Sequence, residues 1–279
     1  MLLTVFTPTY NRIELLPRLY ESLKRQTSRD FTWLIVDDGS TDGTEKLIND
    51  FAREGVINIE YHYRENGGKM RAHNDGVRYC ATKYFLCLDS DDYLVDDAVE
   101  SLLSKALDID EKIAGIVAHK GKSETELLSD VNFPEVNKSS LYNLYLNGFK
   151  GETTLMFVTD VIKKFPFPEI ENEKYVPEDY IYDKIDVEYE YVVFDKIITV
   201  CEIVKNGYTD SVKKLKENNK TAFYLYYEQR AIITPASLLK IKYSGFYVKF
   251  ARMCGRNVFD TKLNKAYVLI GILASVFIK

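Results

Sequence analysis

The feature that most restricts the fold is Phe85-Leu86-Cys87-Leu88-Asp89-Ser90-Asp91-Asp92, an apolar run that turns into three carboxylates within four positions. Apolar residues followed by acid without a spacer suit a buried strand that carries charge to its carboxyl end. Open α/β sheets bind ligands in the crevice outside that end. Carboxylates so crowded repel one another and require a cation, and oxygen-only ligands favour Mg²⁺ or Mn²⁺. The stretch therefore predicts a strand that holds a divalent metal against a phosphate-bearing substrate.

The flanking sequence repeats the theme. Leu2 to Thr7 reads as a first strand ended by Pro8, with Thr9 or Asn11 placed to cap a helix signalled by Ile13, Leu15, Leu16, Leu19, Tyr20 and Leu23. Phe31 to Val36 is a second strand that also ends in acid, Asp37-Asp38. Ile57 to Tyr63 is a third, followed by the tight turn Asn66-Gly67-Gly68 and a helix over 69–79. A helix from Asp96 to Leu107 and a strand from Ile113 to His119 continue the alternation. Strand and helix in turn predict a mostly parallel sheet flanked by helices.

Beyond Lys120 the pattern loosens into a polar excursion over 122–138, a helix over 139–148, a strand over 152–158 and a short helix over 161–165. A loop punctuated by Pro166, Pro168 and Pro177 delivers Glu178-Asp179 at a helix start. Tyr189 to Phe194 and Ile197 to Val204 read as paired strands. From Lys213 onward only helices are expected, over 217–233, 235–253 and 265–278.

A chain of 279 residues, 46% hydrophobic, can build one large domain with an appendage. The net charge of -5 gives no support for a nucleic-acid partner. That value conceals a split: residues 213–279 hold 13 Lys+Arg against 3 Asp+Glu, or +10, which leaves 24 against 39, or -15, in the remainder. The four cysteines show no paired spacing and read as reduced thiols of a cytoplasmic protein. The opening, Leu2 to Pro8, reads as a strand entering a turn and not as a secretory signal.

Four motifs in order carry a resemblance: Thr7-Pro8-Thr9-Tyr10-Asn11-Arg12, Val36-Asp37-Asp38-Gly39-Ser40-Thr41-Asp42, Asn66-Gly67-Gly68-Lys69 and the Asp-x-Asp motif Asp89-Ser90-Asp91-Asp92. Together they resemble the signature of family 2 glycosyltransferases, firmly over residues 1–120 and more loosely over 150–210. The resemblance implies the α/β GT-A fold, with a catalytic domain over 1–212 (nucleotide-sugar binding to 120, acceptor binding after it) and a basic helical extension over 213–279. It implies that Asp38 hydrogen-bonds the uracil of a UDP-sugar, that Pro8 and Tyr10 line the base pocket, and that Asn66 and Lys69 lie beside the nucleotide. Asp89 would contact the ribose or sugar, Asp91 would ligate Mn²⁺ or Mg²⁺, and Asp92 stands second for either task. Asp179 is implied as the catalytic base, with Glu178 second. The implied reaction is an inverting transfer to a glycan or lipid-linked acceptor of a bacterial surface polysaccharide.

Two departures stand out. His73 precedes Asn74 where many relatives carry arginine, and Asn206 to Ser211 has no histidine where relatives often hold the diphosphate with one; Lys213 or Lys214 is a candidate for that place, although a lysine run more often forms a solvated face. Rival readings are a sugar-1-phosphate nucleotidyltransferase, for which the loop after the first strand is poor in glycine and basic residues, and an inactive nucleotide-sugar-binding scaffold. Ala266 to Ile278 is thirteen residues without charge. That is short of the roughly 20 that span a bilayer, so it reads as a packed helix, a dimer contact or a peripheral membrane contact.

Overall fold

The computed structural model describes residues 1–201 and 212–278. Asn206 to Ser211 and the end of the strand expected over Ile197 to Val204 lie outside the described residues. The described strands are β1 (Leu3–Thr9), β2 (Phe31–Asp37), β3 (Asn58–Tyr63), β4 (Tyr84–Cys87), β5 (Asp92–Leu94), β6 (Ile113–Gly121), β7 (Lys138–Ser139), β8 (Thr153–Val158) and β9 (Glu190–Cys201). The helices are α1 (Leu16–Lys24), α2 (Thr44–Glu54), α3 (Lys69–Tyr79), α4 (Ala98–Lys105), α5 (Leu141–Leu146), α6 (Thr159–Ile162), α7 (Asp179–Ile185), α8 (Val212–Asn218), α9 (Lys220–Ile233), α10 (Leu238–Met253) and α11 (Lys265–Ala274). The chain divides into two compact units: Met1–Pro166 with Ile181–Val204, and Phe167–Tyr180 with Lys205–Lys279.

The first unit is built on one sheet of order β3-β2-β1-β4-β8-β6-β9-β5, with β7 added on β9. It is parallel across β3, β2, β1 and β4 and mixed from β8 onward, where β8 runs antiparallel to both β4 and β6. Strands β1 and β2 are buried along their whole length, as strands covered on both faces must be. Trp33, Phe6 and Phe85 are fully buried there, and the Trp33 indole donates to Thr7 Oγ1 at 3.0 Å.

Pro8 does not end β1, contrary to the sequence reading. The strand continues to Thr9, with Pro8 opposite Val36. Pairing with β4 stops at Phe6 opposite Cys87, and the Phe6 carbonyl accepts from Leu88 on that side. Pro8 has the same parity as Phe6 and faces the side where the ladder has finished, so its missing N–H breaks no bond. Neither Thr9 nor Asn11 caps α1. Asn11 sits in the left-handed region at φ 50°, donates its backbone N–H to Ser40 Oγ at 2.8 Å, and accepts from the Thr41 N–H through its side-chain oxygen at 2.8 Å. The helix itself begins at Leu16 with Pro17 in its first turn, where a lost N–H is harmless.

The two strands expected over 189–204 form one, β9, parallel to β6. Asp195-Lys196 separates the two expected strands. It is a bulge, for the register slips between Ala118 opposite Phe194 and His119 opposite Ile197. In the second unit the helix expected over 217–233 breaks at Asn219, whose side chain accepts from the backbone N–H groups of Lys174 and Tyr175 at 2.9 and 3.0 Å. Glu173 then receives the N–H groups of Thr221 and Ala222 at 2.8 Å each and caps α9. Phe223, Tyr227, Tyr247 and Phe250 form the core of this unit.

Candidate active site

Strands β1, β2 and β4 end side by side, and the acids that follow them gather there. Asp37 closes β2; its carboxylate accepts from Ser40 N–H at 2.7 Å and from the Tyr61 hydroxyl at 2.8 Å. Burial, followed by the Asp37 charge, pushes the Tyr61 hydroxyl well above its ordinary pKa. Asp38, 3% exposed, is held by the next loop. One of its oxygens accepts from Arg64 at 2.6 Å and Gly67 N–H at 2.9 Å, the other from Gly68 N–H at 2.7 Å and Asn66 Nδ2 at 3.2 Å. A carboxylate has about four acceptor positions, so all are in use. Gly68 presents its N–H from φ 97°, a conformation that only glycine adopts readily. Asp38 is thus what folds the Asn66-Gly67-Gly68 turn onto the sheet.

The Asp-x-Asp segment leaves β4 and returns as β5, antiparallel to the end of β9. Each of its acids meets a cation of the chain. Lys69, the first residue of α3, contacts both oxygens of Asp89 at 2.8 and 2.9 Å. Lys120, near the carboxyl end of β6, lies 2.9 Å from Asp92, with Glu152 at 3.5 Å. Arg12 stands 3.9 Å from Asp91, and Arg18 donates to the Asp91 carbonyl while covering the Tyr93 ring.

The charges respond to this pairing. Burial pushes Asp92 up to about 6, against the pull of Lys120 and with the help of the Asp89 charge. Burial also acts on Asp89, but Lys69 and Lys120 outweigh it and hold its pKa below the ordinary carboxylate value. Burial disfavours the Lys120 ammonium, yet Asp92 and Asp89 keep its pKa well above that of a free lysine. Sequence alone suggested that the acids needed a metal to coexist. The structure answers that need with Lys69, Lys120 and Arg12.

The fit to a metal can be tested on the donors themselves. Among the described residues no group of three or more His, Cys, Asp or Glu is arranged to hold an ion. Asp91 is the exception to tight pairing: its arginine is at the limit of an ion pair, while its 29% exposure is close to the 32% of lysine-paired Asp89. One loosely paired hard-oxygen ligand suits a cation that takes the rest of its shell from phosphate and water. Asp91 therefore fits the group, as a single protein ligand.

Pro8 is buried at the end of β1 and Tyr10 is 49% exposed just beyond it. Pro8, Tyr10, Asp38, Asn66, Lys69, Asp89, Asp91 and Asp92 all lie in the first unit, and Glu178 and Asp179 in the second. Asp179 opens α7; Arg230 of α9 contacts its carboxylate at 2.9 Å and the Tyr226 hydroxyl donates to it at 3.4 Å. Crowding by protein raises its pKa, Arg230 draws it back, Glu178 raises it further and Tyr226 lowers it, and the net direction is upward. The carboxylate still keeps 47% of its surface.

Sequence reasoning passed over Arg64, Lys120, Arg12, Arg18 and Arg230. Arg64 could have been found two places before the glycine turn. The partners of Lys120 and Arg230 are more than 25 residues away in sequence. His73, buried on α3, lies edge-on to Phe6 and Phe85.

Residues 4–165 match the family described as Glycosyl transferase family 2. The chain belongs to that family. Among relatives of this glycosyltransferase, the teichoic acid poly(glycerol phosphate) polymerase of Staphylococcus epidermidis is 36% identical over 115 residues, 41% of this chain and 16% of the polymerase. Chondroitin synthase of Escherichia coli is 36% identical over 104 residues, 37% of this chain and 15% of the synthase. The chain thus matches about a sixth of the length of these larger proteins. In fold it is similar to residues 1-349 of S. aureus TarS in complex with UDP-GlcNAc, at TM-score 0.65 and 19% identity over 98% of this chain and 79% of that one. The mannosyltransferase PcManGT of Pyrobaculum calidifontis, in complex with GDP-Man and Mn²⁺, gives TM-score 0.60 and 17% identity over 99% of this chain and 81% of that one. The expected GT-A glycosyltransferase fold is therefore the fold observed.

Proposed function

We propose that this family 2 glycosyltransferase moves a sugar from a UDP-sugar to a hydroxyl of a surface-glycan or lipid-linked acceptor, inverting the anomeric carbon. The observation that carries the reading is the gathering of Asp38, Asp89 and Asp91 where parallel strands end, the usual ligand crevice of such sheets. TarS with UDP-GlcNAc and PcManGT with GDP-Man and Mn²⁺ support a nucleotide-sugar donor and a divalent ion.

In this reading Pro8 and Tyr10 line the base pocket and Asp38 accepts from uracil. To do so Asp38 gives up one of its four bonds, and the 3.2 Å contact from Asn66 is the longest of them. Asn66 and Lys69 lie beside the nucleotide, Asp89 contacts ribose or sugar, and Asp92 stands in reserve. Asp91 would hold Mn²⁺ or Mg²⁺, which when bound neutralises charge on the departing diphosphate, an effect of several kcal/mol. Asp179, with Glu178 second, takes the proton of the acceptor hydroxyl. A raised pKa suits a base that must hold that proton, and Arg230 and Tyr226 fix its direction.

The test is a thermal-shift panel of UDP-, GDP- and dTDP-sugars with and without Mn²⁺, followed by UDP release in the presence of acceptor and NMR of the product. A shift confined to UDP-sugars and a product of inverted configuration are expected. Retention of the donor configuration, or a shift with GDP- or dTDP-sugars alone, overturns the respective part.

A further inference from the structure

The helices after β9 carry a surface that the catalytic reading does not use. Helix α11 lies on α10 through Val268 and Gly271, both buried. A Cβ at Gly271 would stand 2.6 Å from the Ser244 carbonyl oxygen, so the backbones meet there and the helix has one orientation. Its opposite face is apolar and open, with Leu269 57% exposed, Leu273 71% and Ile270 beside them, and the turn that follows the helix adds Val276 at 75% and Phe277 at 86%. The helical positions Leu269, Ile270 and Leu273 recur at three and four residues and form one stripe, and Val276 and Phe277 keep that spacing in sequence.

Cations lie near both ends of α11. Lys262 and Lys265 are exposed at its start. Lys240 of α10 lies over the Tyr267 ring, and at the other end Arg252 donates to Ser275 Oγ and Lys249 to the Ile278 carbonyl, each at 3.3 Å. From 238 to 278 the sequence has one acid, Asp260. An apolar stripe flanked at both ends by lysine and arginine has the chemistry of a helix lying in a lipid interface. A second copy would set like charge against like charge, over a single helix face where stable dimers bury about 800 Å² per partner. No helix among the described residues is long and apolar enough to cross a membrane, so the contact is with the surface.

We infer that the face formed by Leu269, Ile270, Leu273, Val276 and Phe277 docks on an anionic lipid bilayer, with Lys249, Arg252, Lys262 and Lys265 meeting the head groups. The catalytic reading is not needed for this: a chain that binds such vesicles but releases no UDP would lose that reading and keep this one.

The full chain is sedimented with vesicles of phosphatidylcholine containing about one-third phosphatidylglycerol, and with phosphatidylcholine alone. Partitioning to the anionic vesicles should be at least ~10-fold stronger and should weaken with salt. The triple variant Leu269→Ser/Leu273→Ser/Phe277→Ser should lose ~10-fold or more while its melting temperature stays that of the parent. Phe277→Trp gives an independent reading, because Trp33 is the sole tryptophan and is buried. Its emission should move to the blue when anionic vesicles are added. Equal sedimentation of parent and triple variant, an unmoved emission, or a dimer that the triple variant abolishes without any vesicle binding would each overturn the inference.

Discussion

Replacing Lys120 by methionine tests the account of the acid cluster. Lys120 and Asp92 lie 2.9 Å apart with side chains 16% and 7% exposed, so little water can stand in for either. Removing one partner of a buried pair typically costs about 3–5 kcal/mol. The methionine stem restores packing but no charge, which puts the expected loss near the lower figure, or about 6–12 °C in melting temperature for a domain of this size. The pH dependence separates this from a simple packing defect. Asp92 has a folded pKa of about 6, above its unfolded value, so its ionisation removes stability as pH rises through about 4 to 6. Without Lys120 that pKa climbs further, and the loss continues to grow above pH 6. The deficit of Lys120→Met should therefore be largest near pH 8 and small near pH 5, where Asp92 is mostly neutral in both proteins. Thermal melts from pH 5 to 8 in EDTA measure it. Adding Asp92→Asn to the variant should recover most of the loss. A deficit that does not change with pH, or no recovery, refutes the pairing argument.

Two further substitutions address the neighbouring loop and the proposed base. Arg64 bridges Asp38 at 2.6 Å and Asp75 at 2.9 Å, so Arg64→Met should cost about 2–4 kcal/mol in thermal or denaturant unfolding and weaken UDP-sugar binding through the glycine turn. Asp179→Asn should lower the transfer rate by about 10²–10⁴-fold with donor binding retained. Because Arg230 draws the Asp179 pKa down, Arg230→Gln should move the acid limb of the rate profile to higher pH, and an unmoved limb would remove Asp179 from the role of base.

Much of this could be read from residue order. Asp37-Asp38 and the Asp-x-Asp segment announced strand ends because burial on both faces leaves apolar runs and the crevice lies where those runs stop. What failed was local inference in places where a distant partner decides. Pro8 is tolerated in β1 only because β4 has already ended beside it. Asp195-Lys196 is a bulge because β6 continues past it, and Asn219 breaks a helix because Lys174 and Tyr175 donate to its side chain. The spacing of the acids signalled repulsion correctly and its remedy incompletely: Lys69 is 20 residues from Asp89, and Lys120 is 28 from Asp92.

That remedy changes what a divalent ion would do here. If Lys69 and Lys120 already balance Asp89 and Asp92, a metal is not needed to hold the acids together, and of the three Asp91 is the most loosely paired. A single carboxylate is a weak site, since Mg²⁺ and Mn²⁺ want about six oxygens at fixed geometry and give up water reluctantly. A dianionic diphosphate supplies the missing oxygens and the charge that the ion would neutralise. Ion and nucleotide should then bind together and poorly apart. In thermal shift, Mn²⁺ alone should leave the melting temperature unchanged at concentrations where Mn²⁺ with UDP raises it, and Asp91→Ala should abolish the joint effect while Lys120→Met, corrected for its lower starting point, should keep it. Tight Mn²⁺ binding without nucleotide would mean that more than one of these carboxylates turns to the ion, and that the lysine pairing does not persist in solution.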